Sequence, residues 1–268
     1  MTSRSIVFIG AAIVIALIAA AALAPVIAPY NPTEQNLEND LAASSGEHLL
    51  GTDKLGRDVL SRILYGSRIS LAVGTITVTI SVLIGLLVGA LAGYFRGWVD
   101  QFLMRLVDVL MAFPGILLAI AFTAVLGPGL DHVVLALSLI GWTGYARLVR
   151  GEVLALREKD FVHAAEALGG SPARVIRLHM LPNLLPALAI QATFGMAAAI
   201  IAEGSLSFLG LGAEPPTPSW GSMLNEGRQF ILVAPHLTAY PGLAIMATVL
   251  SLNLVGDGLR DKLEKRGK

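Results

Sequence analysis

From Ile6 to Ala28 the chain carries no charged residue, and a helix over that run is long enough to cross the roughly 30 Å hydrocarbon layer of a bilayer. Five further apolar stretches follow, at Ile69 to Phe95, Gln101 to Leu126, a shorter one at His132 to Leu148, Pro186 to Leu206 and His236 to Gly256. Backbone inside lipid must satisfy its own hydrogen bonds, so runs of this length and number predict spanning helices. The mean hydropathy of +0.72 and the charged share of 14%, against about a quarter in soluble domains, exclude a soluble globular protein. The predicted fold class is all-α: a polytopic membrane protein with six transmembrane helices. Arg4 before the first run and Ala22-Leu23-Ala24 near its end also fit a secretory signal. The run exceeds the roughly 7 to 15 apolar residues of such a signal, so it reads as a retained first helix.

Basic residues set the expected orientation. With the amino terminus inside, the cytoplasmic side receives Arg4, Arg96, Arg105, the six Lys and Arg residues between Arg147 and His179, and the five between Arg260 and Lys268. The other side receives Lys54, Arg57, Arg62, Arg68 and Arg228. The bias predicts both termini in the cytoplasm. A net charge of zero offers no basic face for nucleic acid. The chain has no cysteine, which removes disulfides, thiolate metal sites and cysteine nucleophiles. His48, His132, His163, His179 and His236 are scattered without close ligand spacing, so no metal site and no catalytic group is predicted.

The most informative polar stretch separates the fourth and fifth spans, HAAEALGGSPARVIRLHMLPNLLP from His163 to Pro186. Ala164, Ala165, Glu166, Ala167 and Leu168 favour a helix, and Gly169-Gly170 supplies the left-handed residue that ends one. Ser171 is placed to cap a second helix whose first position, Pro172, needs no backbone donor. That helix would carry Arg174 and Arg177 and stop near Pro182, giving helix, sharp turn, helix. The segment resembles the EAA loop of bacterial ABC importer permeases, with its glutamate at Glu166, its glycine at Gly169 and the closing Leu-Pro at Leu181-Pro182.

Three other segments are similar to the dipeptide, oligopeptide and nickel subfamily of those permeases. LLGTDKLGRDVLSRILYGSRISL precedes the second span, and there Leu55, Val59, Leu60, Ile63 and Leu64 share one helical face, predicting an interfacial amphipathic helix. RLVDVLMAFPGILLA lies in the third span, where Pro114 predicts a kink and Arg105 and Asp108 stand three apart, in pairing distance on one helix. SLSFLGLGAEPPTPSWGSML lies between the fifth and sixth spans, its glycines and prolines forbidding a continuous helix. In the second span Gly85, Gly89, Gly93 and Gly97 recur every four residues and predict close helix packing. Residues 1–68 read as a first transmembrane helix with a polar extracytoplasmic segment, and 69–268 as the core with five spans and the cytoplasmic loop.

The resemblance implies the type I ABC importer permease fold and a C-type permease of a bacterial plasma (inner) membrane importer for di- or oligopeptides, with nickel chelates or glutathione as alternative cargo. It implies as partners a second homologous permease, two ATP-binding subunits, an extracytoplasmic substrate-binding protein and membrane lipid. No GxxxxGK[ST] phosphate loop occurs in the chain, so ATP and Mg would sit on the partner subunits and this chain would bind no cofactor. In the resemblance Ala164, Ala165, Glu166, Ala167, Gly169, Gly170, Ser171 and Pro172 form the contact with the ATPase. Glu203, an acid near the outer end of the fifth span, is a translocation-path or gate candidate. A structural hydrogen bond holding the loop that follows is its simpler reading. From another class, a membrane scaffold would share this hydropathy but would not support ATP-dependent uptake.

Overall fold

The computed structural model describes residues 3–264. Lys265, Arg266 and Lys268 of the basic tail lie outside the described residues, as does the side chain of Arg4. The helices are α1 (Ser3–Ile27), α2 (Val59–Phe95), α3 (Gly97–Met111), α4 (Gly115–Leu126), α5 (Leu130–Arg157), α6 (Asp160–Ala167), α7 (Pro172–Val175), α8 (Leu181–Phe208), α9 (Trp220–Gly227) and α10 (His236–Glu264). The extended pairing among the described residues is one isolated bridge, Thr52 to Asp58.

Among the described residues five helices are long and apolar enough to span a membrane, and α3 with α4 makes a sixth span only as a broken pair bent by 82°. Pro114 lacks the N–H that would continue the first helix, and it becomes the N-cap of α4. The bend is far sharper than a local kink, and the polar side of α3 is paired with another helix. Asp100 receives Arg150 Nε and Nη2 at 2.5 and 2.6 Å, and Asp108 receives Arg147 Nη2 at 2.6 Å, both from α5. Asp108 therefore pairs across helices rather than with Arg105.

The expected interfacial helix is not a separate element. Asp58 caps α2 by accepting the Ser61 N–H at 2.8 Å, so Val59, Leu60, Ile63 and Leu64 form the first turns of the long α2, and Leu55 lies in the turn before it.

Close packing centres on α2 against α5. A Cβ at Gly93 would stand 2.9 Å from Val153 Cβ and from the Arg150 carbonyl, and Gly85 and Gly89 meet the backbone of Trp142 and Ala146 as tightly. Gly97 is not part of that stripe. It follows the helix end with φ +57, beside Arg96 at φ +54, and turns the chain into α3. A buried cluster of Tyr94, Tyr145, Val149, Val153, Met180 and Leu184 lies beside this contact and also contains Val162 of α6 and Val175 of α7.

Candidate functional site

Between α5 and α8 the chain forms a compact elbow. Helix α6 is followed by its C-cap Leu168, Gly169 adopts φ +80, and the Gly169 and Gly170 N–H groups return to the carbonyls of Glu166 and Ala165 at 2.9 and 3.0 Å. This is a Schellman closure, which satisfies the last carbonyls and demands a left-handed residue at Gly169. Gly170 is confined for another reason: a Cβ there would lie 2.6 Å from the Ala165 carbonyl and 3.2 Å from Val175. Ser171 occupies the N-cap of α7 with Pro172 at the first position, but its hydroxyl makes no cap bond. Its carbonyl instead receives the Val175 N–H at 2.9 Å.

The second helix of the elbow does not stop at Pro182. Residues 176–180 widen into a π turn, in which the Leu181 N–H reaches the Ile176 carbonyl, and the chain continues as α8. Pro182 has no N–H to give to the turn below it, and at the start of α8 it costs little. The segment from Pro172 to Phe208 is thus one nearly continuous span.

Glu166 and Ala165 face inward, whereas Ala164 and Ala167 are exposed on the outer side of α6. Glu166 Oε1 accepts the Tyr94 hydroxyl at 2.8 Å, which ties the elbow to the end of α2. Arg157 covers the Tyr94 ring at 5.2 Å and donates to the Tyr94 carbonyl. Beside it Arg96 pairs with Glu158, and that hydrogen bond with the guanidinium charge holds the Glu158 carboxyl below the usual carboxylate range. At the apex Leu168 is 88% exposed. A hollow of about 450 Å³ opens beside it, lined by Phe161, Ala164, Gly169, Arg174 and His179. An apolar tip over a basic hollow, held from behind by a packed core, suits a protein partner.

Glu203 lies far along α8, fully buried. Its Oε2 accepts the Ser70 hydroxyl of α2 at 3.0 Å and its Oε1 the Ser207 hydroxyl at 2.8 Å. Its hydrogen bonds tie α8 to α2, and Ala213 N–H reaches the same Ser207 Oγ at 3.4 Å, which holds the following loop. Next to it α9 begins with a capping box between Ser219 and Ser222, and Trp220 Nε1 donates to the Ile63 carbonyl at 3.1 Å.

A buried charge lattice that sequence reasoning missed fastens the polar segment before α2. Arg57 Nε meets Asp53 Oδ2 at 2.7 Å and its Nη2 meets Glu226 Oε2 at 2.5 Å, while Arg62 reaches the same two carboxylates at 3.3 and 3.1 Å. Arg57 and Arg62 are almost fully buried. Asp58 adds His48 Nδ1 at 2.9 Å. No periodicity links Arg57 or Arg62 to Glu226 in the sequence; only the folded position of α9 does.

The chain matches the family described as binding-protein-dependent transport system inner membrane component over residues 85–268, and the N-terminal TM domain of oligopeptide transport permease C over residues 3–43. It is 47% identical over 259 residues to a glutathione transport system permease protein, GsiD, of Escherichia coli, covering 95% of this chain and 84% of that one. It is 42% identical over 268 residues to a dipeptide transport system permease protein, DppC, of Alkalihalophilus pseudofirmus, covering 100% and 88%. Among solved structures it resembles the inward-facing MetNI methionine ABC transporter, with a TM-score of 0.62 at 21% identity, covering 74% of this chain and 94% of that one.

Proposed function

The chain belongs to the family of binding-protein-dependent transport system inner membrane components, the permease subunits of ABC importers, and from that premise we propose that it imports short peptides and takes its drive through the elbow at residues 160–182. It is a multi-pass membrane protein that works with ATPase subunits and another permease. Relatives covering nearly the whole chain are named for a dipeptide and for glutathione, itself a short peptide, which supports that cargo class.

The carrying observation is the Tyr94–Glu166 bond within a shared buried cluster. Val162 and Val175 anchor the two arms of the elbow in the same core as Tyr145 and Val149 of α5 and Leu184 of α8. A push on the exposed apex would therefore move α8 and the adjoining ends of α2 and α5 together, since a packed core is bistable rather than soft. In this reading two ATPase subunits, holding ATP and Mg, close beneath the elbow, and an extracytoplasmic binding protein delivers cargo to the opposite face. Both termini and the elbow are then cytoplasmic. Glu203 acts by holding α8 to α2 near the outer end rather than by meeting cargo.

The test is co-reconstitution of the four-component complex with its cognate binding protein, followed by uptake of labelled dipeptide and of glutathione with and without ATP. ATP-dependent accumulation of either supports the reading. A wild-type complex that takes up neither, while its binding protein copurifies with a non-peptide ligand, rejects it.

A further inference from the structure

The depth of α3 in the membrane can be read from α5, which crosses the layer beside it. Counted from Leu130, at ~1.5 Å per residue, Ile140 lies ~15 Å along α5, Arg147 ~26 Å and Arg150 ~30 Å, the last a full hydrocarbon thickness away. Gly115, at the start of α4, faces Ile140, while Asp108 and Asp100 of α3 pair with Arg147 and Arg150. Helix α3 therefore runs obliquely from mid-depth near Phe113 down to the boundary on the elbow side, where Trp98, Gln101 and Arg105 lie.

One side of α3 is closed: Met104, Val107 and Leu110 pack on Trp142 and Ala146 of α5 and on Val88 of α2. The other side is open. Trp98 and Phe102 are 77% and 66% exposed, and Leu106, Val109 and Phe113 continue the same stripe at steps of four, three and four residues, one helical face leading from the boundary towards mid-depth. A recess of about 690 Å³ opens beside its lower end, with Gln101 and Arg105 on its wall. Its charge is uneven. Asp100 and Asp108 are bound by Arg150 and Arg147, whereas Arg105 is exposed and has no ion pair or hydrogen bond among the described residues, so two acids against three arginines leave one positive charge at the boundary. A tryptophan and a free arginine at that level, above an apolar track one acyl chain wide, match the order of groups in a phospholipid.

We infer that the open side of α3 seats an anionic phospholipid of the leaflet on the elbow side, its phosphate on Arg105 and the Gln101 amide and an acyl chain along Leu106, Val109 and Phe113. The unbalanced charge favours a headgroup with net negative charge over a zwitterionic one by roughly fivefold, the effect of a single arginine near the membrane surface. The 82° break makes the seat possible, because a straight third span would hold Arg105 against α5 instead of turning it outward at the boundary. The seat does not depend on which cargo is carried.

The test uses the assembled complex in nanodiscs of mixed phosphatidylglycerol and phosphatidylcholine, with a trace of one lipid or the other carrying a diazirine in its acyl chain. Adducts are mapped by mass spectrometry, and the exposed stripe of α1 around Ile15 and Ile18 serves as the control for bulk lipid. The expected result is that phosphatidylglycerol labels residues 98–113 about fivefold more than phosphatidylcholine does, while α1 shows a ratio near one. Arg105→Gln should bring the α3 ratio to that of α1, and Arg105→Lys should keep it raised. Equal ratios on α3 and α1 in the wild-type complex overturn the inference even if a variant assembles poorly, as does a raised ratio that survives Arg105→Gln. A second arm places a photoreactive group on the stripe itself, as Phe102→benzoylphenylalanine. A phospholipid adduct is expected there; cross-linking to another subunit in place of lipid would show that protein covers this face and would overturn the seat.

Discussion

The Tyr94 hydroxyl donates to Glu166 Oε1 over 2.8 Å, joining the last turn of α2 to the last turn of α6 across 72 residues of sequence. The glutamate of the elbow is thus a strut between the loop and the membrane helices, half-buried within this chain. Tyr94→Phe and Glu166→Ala should each weaken the docking of the elbow by about 1.5–3 kcal/mol, the worth of a hydrogen bond to a charged group. Both should lower transport per ATP hydrolysed, and the double variant should be no worse than the worse single one. Transport and ATPase rates measured in the same vesicles decide this; additive losses would mean that the two residues act separately.

Glu203→Gln keeps an acceptor for one of the Ser70 and Ser207 hydroxyls and offers an N–H to the oxygen of the other, whereas Glu203→Ala leaves both buried hydroxyls without a partner, at about 1–3 kcal/mol each. Gln should keep most transport and Ala should lose it for cationic and neutral cargo alike. Uptake of matched cationic and neutral peptides is the measurement. A Gln variant failing selectively on cationic peptides would make Glu203 a cargo contact.

Glu226→Ala removes the carboxylate shared by Arg57 and Arg62 and leaves two buried guanidiniums short of a partner. Breaking such a pair costs about 3–5 kcal/mol. Limited proteolysis should then cut residues 29–58 faster, and the detergent-solubilised protein should melt earlier. Unchanged cleavage would show that the lattice does not hold this segment.

The chain is free of cysteine, so single introduced thiols report sidedness. Ser222 is a poor site because its hydroxyl closes the capping box of α9 and is buried. Gly46, with open space around its Cβ position, serves better, together with exposed Ser171. A membrane-impermeant maleimide should label Gly46→Cys from outside intact cells and Ser171→Cys only after lysis. The reverse pattern would invert the topology.

Much of this arrangement is legible locally. Uninterrupted apolar runs reveal the spans, and a Gly-Gly followed by Ser-Pro reveals the elbow, because a left-handed helix end requires glycine. What is not legible depends on partners distant in sequence. Pro114 signals a break, but neither the 82° angle nor the pairing of Asp100 and Asp108 with Arg150 and Arg147 on another helix is written locally. Pro182 suggests a stop, yet a π turn carries the helix through it. The pairing of Tyr94 with Glu166, or of Arg62 with Glu226, needs the register of packed helices, which no local pattern encodes.

The most direct test of the coupling account is Gly169→Val in the complete complex. At φ +80 a β-branched residue is strained by about 1–2 kcal/mol although no neighbour obstructs it, so the elbow must redirect α7 while the spans are untouched. ATP hydrolysis and dipeptide uptake are measured in the same proteoliposomes at matched amounts of assembled complex. The account predicts that peptide imported per ATP falls severalfold while hydrolysis continues; an unchanged ratio would contradict it.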